Sequence, residues 1–234
     1  MENKKTIIGI IILVILIIGL IVVSYFYNSY NKNQINLLAE ETNKLLESDL
    51  TIDEIDFNIK TEKGFATVEN AIKEYISKIK NIYTEMDNTC IGINPDNIFI
   101  AENMPDKNLD EIDVIISDYK EKGQELLEDY DELIKEENIK KYIEEKNIKT
   151  RKKYYTNLYT TTMLSDSMKT EYQIIRKEVS ARKDDLYSKL NELEKVKEFL
   201  EDNKRSWSIK DNKIVLNSSI VGEYYNLINK VNEY

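Results

Sequence analysis

The sequence contains no histidine in its 234 residues and a single cysteine, Cys90. The absence of histidine removes the commonest general base and excludes a Ser-His-Asp triad, a Cys-His pair and any metal site with a histidine ligand. One cysteine excludes a disulfide within the chain. Because no imidazole is available to lower its pKa, we interpret Cys90 as a buried apolar side chain and not as a nucleophile.

Glycine and proline are scarce, with six and two residues. All-β and doubly wound α/β folds need more of both, and the sequence has none of the loops that typically hold phosphate or calcium. Acidic residues outnumber basic ones, 43 to 33, which gives a net charge of −10 and argues against nucleic-acid binding. We therefore predict no catalytic residue, no cofactor, no metal and no nucleic-acid partner.

The sequence does have one long hydrophobic run without charge, from Ile7 to Val23. As a helix it spans about 26 Å, and residues 24–27 extend it to about 32 Å, which matches the hydrocarbon core of a bilayer. We predict that this run crosses the lipid bilayer once. Lys4 and Lys5 precede the run and aromatic residues follow it, which places the N-terminus in the cytoplasm.

The predicted domains follow from this run. Residues 1–27 form a cytoplasmic stub and transmembrane anchor, and residues 28–234 form an extracytoplasmic helical domain of a single-pass protein in the cell membrane. A cleaved signal peptide is the alternative. Its apolar core would be about 7–15 residues long, shorter than this run, and the only tolerable cleavage site, Val22-Val23-Ser24, is a weak match. We favour the uncleaved anchor.

Hydrophobic periodicity predicts long helices over about 67–87, 108–138 and 167–203. The last is the most regular, and a helix of over thirty residues spans about 50 Å, too long for a compact sphere. We predict a mainly α fold, in which the N-terminal transmembrane helix precedes an elongated antiparallel helical bundle or coiled coil with a small β element. The apolar stripe of the last helix comprises Tyr172, Ile175, Val179, Leu186, Leu190, Leu193, Val196 and Leu200.

Two short segments show the alternation of apolar and polar residues that is typical of strands. One is residues 55–59. The other is residues 206–216, where the alternation on both sides of Asp211 and Asn212 predicts a hairpin. Because an isolated strand and a lone hairpin are both marginally stable, we predict that the two segments pair into a three-stranded sheet. The alternative is that both are irregular and that Trp207 only packs against the bundle.

Basic side chains cluster once, between residues 140 and 153, with tyrosines between them. Basic and aromatic side chains together can bind polyanions, such as anionic lipid headgroups or phosphate-rich wall polymers. We favour the other interpretation, a solvated helix junction whose positive charge is balanced by Glu144, Glu145 and the neighbouring acidic stretches. The candidate polyanion-binding patch consists of Lys140, Lys141, Lys146, Lys149, Arg151, Lys152 and Lys153.

The hydrophobic run, the segment IDFNIKTEKGFATVENAIKEY (residues 55–75), the long heptad helices and the segment SWSIKDNKIVL (residues 206–216) carry a resemblance. Together they resemble a group of uncharacterised single-pass, membrane-anchored helical proteins of Gram-positive bacteria. The resemblance implies the topology and an extracytoplasmic helical domain. It implies no activity, since neither segment is a catalytic signature.

Two classes of function stay open. The first, which we predict, is a non-enzymatic, membrane-tethered helical module that scaffolds, senses or binds a protein partner in the cell envelope, or associates with itself. The second is an extracytoplasmic ligand-binding or hydrolytic domain that uses acidic and aromatic residues. A deep apolar cavity with convergent carboxylates would favour the second class.

Overall fold

The computed structural model describes residues 24–45 and 55–233, and most of this part of the chain is helical. It contains eight α-helices and one β-hairpin, which confirms the prediction of a mainly α fold with a small β element. The elements are α1 (residues 24–45), α2 (Lys63–Gly92), α3 (Pro95–Ile98), two 3₁₀ turns (Ala101–Asn103 and Pro105–Lys107), α4 (Asp110–Leu133), α5 (Glu136–Glu144), α6 (Lys152–Met163), α7 (Asp166–Asp202), β1 (Trp207–Lys210), β2 (Lys213–Leu216) and α8 (Val221–Val231).

No helix within residues 24–45 and 55–233 is both long and apolar enough to cross a membrane. The hydrophobic run of residues 7–23, on which the predicted transmembrane anchor depends, lies outside the described residues. The anchor therefore stays a prediction. The described chain begins at Ser24, the residue that follows the run, and it is helical from there to residue 45.

Helix α7 is the longest element of the described chain, and it packs against α2, α4 and α8. Its first turn is capped by Ser165, whose hydroxyl accepts a hydrogen bond from the Met168 N–H at 3.4 Å. All eight side chains of the predicted apolar stripe are buried, because their spacing keeps them on one face of the helix. The helix has 37 residues and is therefore about 55 Å long.

The helix predicted over 108–138 is divided in two in the structure. Lys135 has an extended backbone, with φ −65° and ψ 133°, so α4 ends before it and α5 begins after it. Side chains bond to the last carbonyl groups of α4. The Tyr75 hydroxyl donates to the Leu133 oxygen at 2.6 Å, and the Asn138 amide donates at 2.7 Å to the Glu132 oxygen, which also accepts the Lys135 N–H. Because Tyr75 belongs to α2, the spacing of apolar residues within 108–138 could not reveal this break.

Tyrosine hydroxyls join the long helices at two further places. Tyr130 of α4 donates to the Tyr172 carbonyl oxygen in α7 at 2.7 Å, and Tyr187 of α7 donates to the Lys120 carbonyl oxygen in α4 at 3.0 Å. Both tyrosine rings pack against the apolar core while their hydroxyls reach a backbone acceptor on the neighbouring helix. The two bonds run in opposite senses between the same pair of helices.

Strands β1 and β2 form the predicted hairpin, with Trp207 opposite Leu216. Asp211 and Asn212 both have positive φ, 50° and 62°, as the two central residues of a type I′ turn require. The indole N–H of Trp207 donates to the Leu200 carbonyl oxygen at 2.7 Å, which joins the hairpin to the end of α7.

The prediction of a three-stranded sheet is wrong. Residues 55–62 form no strand, and within the described ranges the hairpin is a two-stranded sheet by itself. Phe57 is 50 % exposed, so the alternation does not produce an apolar face. The backbone N–H groups of Lys60 and Thr61 donate instead to the carboxylate of Glu69, at 2.8–3.1 Å. A side chain of α2 thus satisfies the amides that a neighbouring strand would have satisfied.

Candidate functional site

The candidate polyanion-binding patch divides into two groups in the structure. Its three lysines in or next to α5 each form an ion pair with a carboxylate of the protein, so their charge is balanced locally. The other four basic residues lie in the turn before α6 and in its first turn. The three ion pairs are Lys140–Glu136, Lys141–Glu145 and Lys146–Glu74.

The remaining four residues, Lys149, Arg151, Lys152 and Lys153, are exposed, and none forms an ion pair with another described residue. Lys152 donates a hydrogen bond to the Glu144 carbonyl oxygen at 3.0 Å, which orders the turn without neutralising the ammonium group. The fold therefore concentrates the available positive charge of the patch at the N-terminal end of α6.

Arg151 contacts two tyrosine rings. Its guanidinium carbon lies 4.4 Å from the centre of the Tyr154 ring and 5.2 Å from the centre of the Tyr27 ring, which is cation–π distance. Tyr27 belongs to α1 and lies four residues after the hydrophobic run in sequence. The contact therefore brings the basic turn next to the first described residues of α1, which sequence spacing could not predict.

A fifth basic residue, Lys63, joins this group from the start of α2. It is exposed, and its ammonium nitrogen lies 4.8 Å from the centre of the Tyr30 ring in α1. Sequence reasoning missed Lys63 because it is far from the basic stretch along the chain. We call Lys63, Lys149, Arg151, Lys152 and Lys153 the basic corner.

An aromatic cluster beneath the basic corner holds α1, α2 and α6 together. Phe65 is fully buried at its centre, with ring centroids 6.5 Å from Tyr30, 6.2 Å from Tyr154 and 5.2 Å from Tyr155. The preceding residue, Gly64, allows the Tyr155 ring to lie directly against the backbone of α2: a Cβ at Gly64 would be 2.1 Å from a ring carbon. Any larger side chain at this position would therefore clash with the Tyr155 ring unless the ring moved.

A buried group of charged residues also holds α1 against α2, further from the basic corner than the aromatic cluster. The Lys73 ammonium, 1 % exposed, lies 2.7 Å from a Glu69 oxygen and 3.0 Å from a Glu41 oxygen, and it donates to the Asn58 carbonyl oxygen at 2.8 Å. Burial alone would raise the pKa of Glu69, but the hydrogen bonds from Lys73 and Thr61 outweigh burial and lower this pKa. The four-residue spacing of Glu69 and Lys73 is visible in the sequence, whereas the contribution of Glu41 is not.

A cavity with a volume of about 530 Å³ lies between α2, α4 and the loop between them. Its lining includes Thr89, Asn97, Tyr119 and Lys122, and Asp118 is the only carboxylate among the lining residues. Glycoside hydrolysis needs two carboxyl groups on opposite sides of the bond. This cavity therefore gives no support to the hydrolytic alternative.

Cys90 is buried near the end of α2, and burial raises the pKa of its thiol. We predict that a thiol reagent such as dithiobisnitrobenzoate modifies Cys90 in the native chain roughly a hundredfold more slowly than in the unfolded chain, because local opening must come first. The same protein in denaturant, which should release one equivalent of thiol, is the control. Reaction at the unfolded rate in native buffer would contradict the burial of this side chain.

The chain matches no protein-family model, and comparison with curated proteins and with solved structures gives no match either. The resemblance to single-pass proteins of Gram-positive bacteria therefore stays a prediction from the sequence.

Proposed function

We propose that this protein is a membrane-tethered, extracytoplasmic helical module that scaffolds, senses or binds a partner at the cell envelope, without enzymatic activity. In this proposal residues 7–23 cross the bilayer once, and the following residues form an elongated antiparallel bundle. The partner is a protein of the envelope or a second copy of the chain.

The observation that best supports the proposal is the attachment of α1 to the rest of the bundle. Tyr30 contacts Phe65 of the aromatic cluster, the Gln34 side-chain oxygen accepts the Glu62 N–H at 2.7 Å, and Glu41 pairs with Lys73. These contacts begin seven residues after the end of the hydrophobic run. A domain attached in this way would keep a fixed orientation relative to the membrane, as a scaffold or a sensor requires.

The end of α2 that lies away from the basic corner offers a surface for a partner. With 30 residues, α2 is about 45 Å long, and the loop after it contacts the hairpin through a hydrogen bond from the Ala101 N–H to the Asn212 side chain at 2.9 Å. Val215 on the hairpin is 47 % exposed and Tyr225 on α8 is 58 % exposed. Exposed apolar and aromatic side chains are suited to protein contact.

Alkaline carbonate extraction tests the anchor. We expect the full chain to stay in the membrane pellet and Val14→Lys/Ile18→Lys to be released, because each ammonium near the bilayer centre costs about 2.5–3.5 kcal/mol. Val14→Leu/Ile18→Leu, which keeps the run apolar, should stay in the pellet. Release of the unchanged chain would contradict the anchor.

A reporter fused after Tyr234 tests the orientation separately. A reporter that is active only in the cytoplasm should be inactive at this position, because the lysines before the run should keep the N-terminus inside. If this reporter were active in a chain that resists carbonate extraction, the C-terminus would lie in the cytoplasm. The predicted orientation would then be wrong, and the anchor would stand.

A further inference from the structure

We propose that the basic corner binds the phosphate groups of anionic phospholipids at the surface of the membrane that holds the anchor. The proposal rests on the proposed membrane anchor, but it does not depend on which side of the membrane the domain occupies. It assigns a lipid ligand to five residues of the described chain: Lys63, Lys149, Arg151, Lys152 and Lys153.

The position of the basic corner supports a lipid ligand. A helix from residue 7 to Tyr27 spans about 32 Å, so Tyr27 would lie where the hydrocarbon core meets the headgroup layer. The headgroup layer on each side of a bilayer is roughly 5–7 Å thick, the difference between its full thickness and its hydrocarbon core. Since the Arg151 guanidinium lies 5.2 Å from the Tyr27 ring, the basic corner would lie at the level of the lipid phosphates.

The charge of the basic corner is available to a ligand. None of its five cations forms an ion pair with another described residue. Of the nearby acids, Glu145 pairs with Lys141, and Glu62 accepts a hydrogen bond from the Tyr30 hydroxyl at 3.4 Å. The chain as a whole is acidic, so this unpaired positive charge is a local property of the fold.

The chemistry of Arg151 suits phosphate. A guanidinium that lies over ring faces contacts them with its plane and keeps the N–H groups at its edge for oxygen acceptors. These N–H groups match the geometry of phosphate oxygens. The contact with Tyr27 and Tyr154 would therefore hold the side chain in place for binding.

Exposed aromatic side chains favour a lipid surface over a soluble phosphate polymer. Tyr25 and Phe26 precede Tyr27 on α1 and are 71 % and 67 % exposed in the described chain. Aromatic side chains of this kind are enriched where a membrane protein meets the headgroup layer. Under the proposed anchor Phe26 lies at the lipid surface, so lipid phosphates are within reach of the basic corner, whereas a soluble polymer would have to displace them.

Lysine acetylation of the full chain in nanodiscs tests the proposal. A neutral amine-acetylating reagent is applied to discs of phosphatidylcholine alone and to discs that also contain phosphatidylglycerol, and the modified lysines are identified by mass spectrometry. We expect acetylation of Lys63, Lys149, Lys152 and Lys153 to fall about threefold or more with phosphatidylglycerol, and this protection to weaken at high salt. Lys210 and Lys213 on the hairpin are exposed internal controls and should not change.

Two matched variants distinguish lipid binding by the basic corner from a general attraction between the charge of the chain and the anionic lipid. Lys149→Gln/Lys153→Gln should lower the protection of Lys152 and Lys63, whereas Lys210→Gln/Lys213→Gln, with the same loss of charge, should leave it intact. Equal acetylation in both kinds of disc, in a chain that resists carbonate extraction, would overturn the lipid proposal and leave the anchor standing. Protection by added soluble polyphosphate but not by phosphatidylglycerol would also overturn it, and release of the chain by carbonate would overturn both proposals.

Discussion

Replacement of Lys73 by methionine should lower the free energy of unfolding at pH 7 by about 3–5 kcal/mol, the usual cost of breaking a buried ion pair. Lys73 is 1 % exposed and contacts carboxylates of both Glu69 and Glu41. Methionine keeps most of the length of the lysine side chain, so the loss should come from the charge and not from a cavity. Denaturant titration of the full chain and the variant measures the difference.

The loss of unfolding free energy caused by Lys73→Met should become smaller as the pH falls. In the unchanged chain the pKa of Glu69 lies below its ordinary value of 4.5, so the stability that this group contributes is present above 4.5 and disappears at lower pH. In Lys73→Met the ammonium no longer opposes the effect of burial, so the pKa of Glu69 should be higher than in the unchanged chain, and protonation of Glu69 should cost the variant less stability. The difference in unfolding free energy should therefore be largest at pH 7 and smaller at about pH 4.5.

Two controls accompany this prediction. Lys73→Met/Glu69→Gln removes both charges of the closest pair and should recover part of the loss. Lys177→Met replaces an exposed lysine of α7 and should change stability by less than about 0.5 kcal/mol. A loss below about 1 kcal/mol for Lys73→Met, or a loss that does not vary with pH, would contradict the buried ion pair.

Replacement of Gly64 by alanine should lower the free energy of unfolding by about 1–3 kcal/mol, although alanine favours helix formation. The new Cβ would lie 2.1 Å from a carbon of the Tyr155 ring, far inside van der Waals contact. The ring has little room to move, because it is 5 % exposed and lies against Phe65. Thermal or denaturant unfolding measures the effect.

Gly222→Ala is the matched control for this substitution. Gly222 also lies in the first turn of a helix, but apart from its chain neighbours and the backbone of its own helix, no atom lies within 4 Å of the position of its Cβ. Alanine should therefore leave stability unchanged or raise it by up to about 1 kcal/mol. If Gly64→Ala proved as stable as Gly222→Ala, the close approach of Tyr155 to α2 would be wrong.

The sequence predicted those elements whose determinants lie within the element itself. The periodic stripe of α7 is buried as expected, and two turn residues that tolerate positive φ were enough to place the hairpin. Residues 55–62 were predicted wrongly because their amides are satisfied by Glu69, a side chain that alternation within the segment does not report. The basic corner was predicted in part. The cluster of basic residues at 149–153 is visible in the sequence. The position of Lys63 and the contact of Arg151 with Tyr27 depend on how α1 packs, which the sequence does not show.

The tyrosine hydroxyls that join the long helices have a mechanical consequence. Tyr130 and Tyr187 each donate to a single carbonyl oxygen of the facing helix, and in an α-helix successive carbonyls are about 1.5 Å apart along the axis. Sliding one helix past the other by even one residue would break both bonds at once, because both link fixed positions on α4 and α7. Force applied along the helix axes would therefore load the two bonds in parallel, in shear, and a pull at one end of the pair would be transmitted to the other end with little extension.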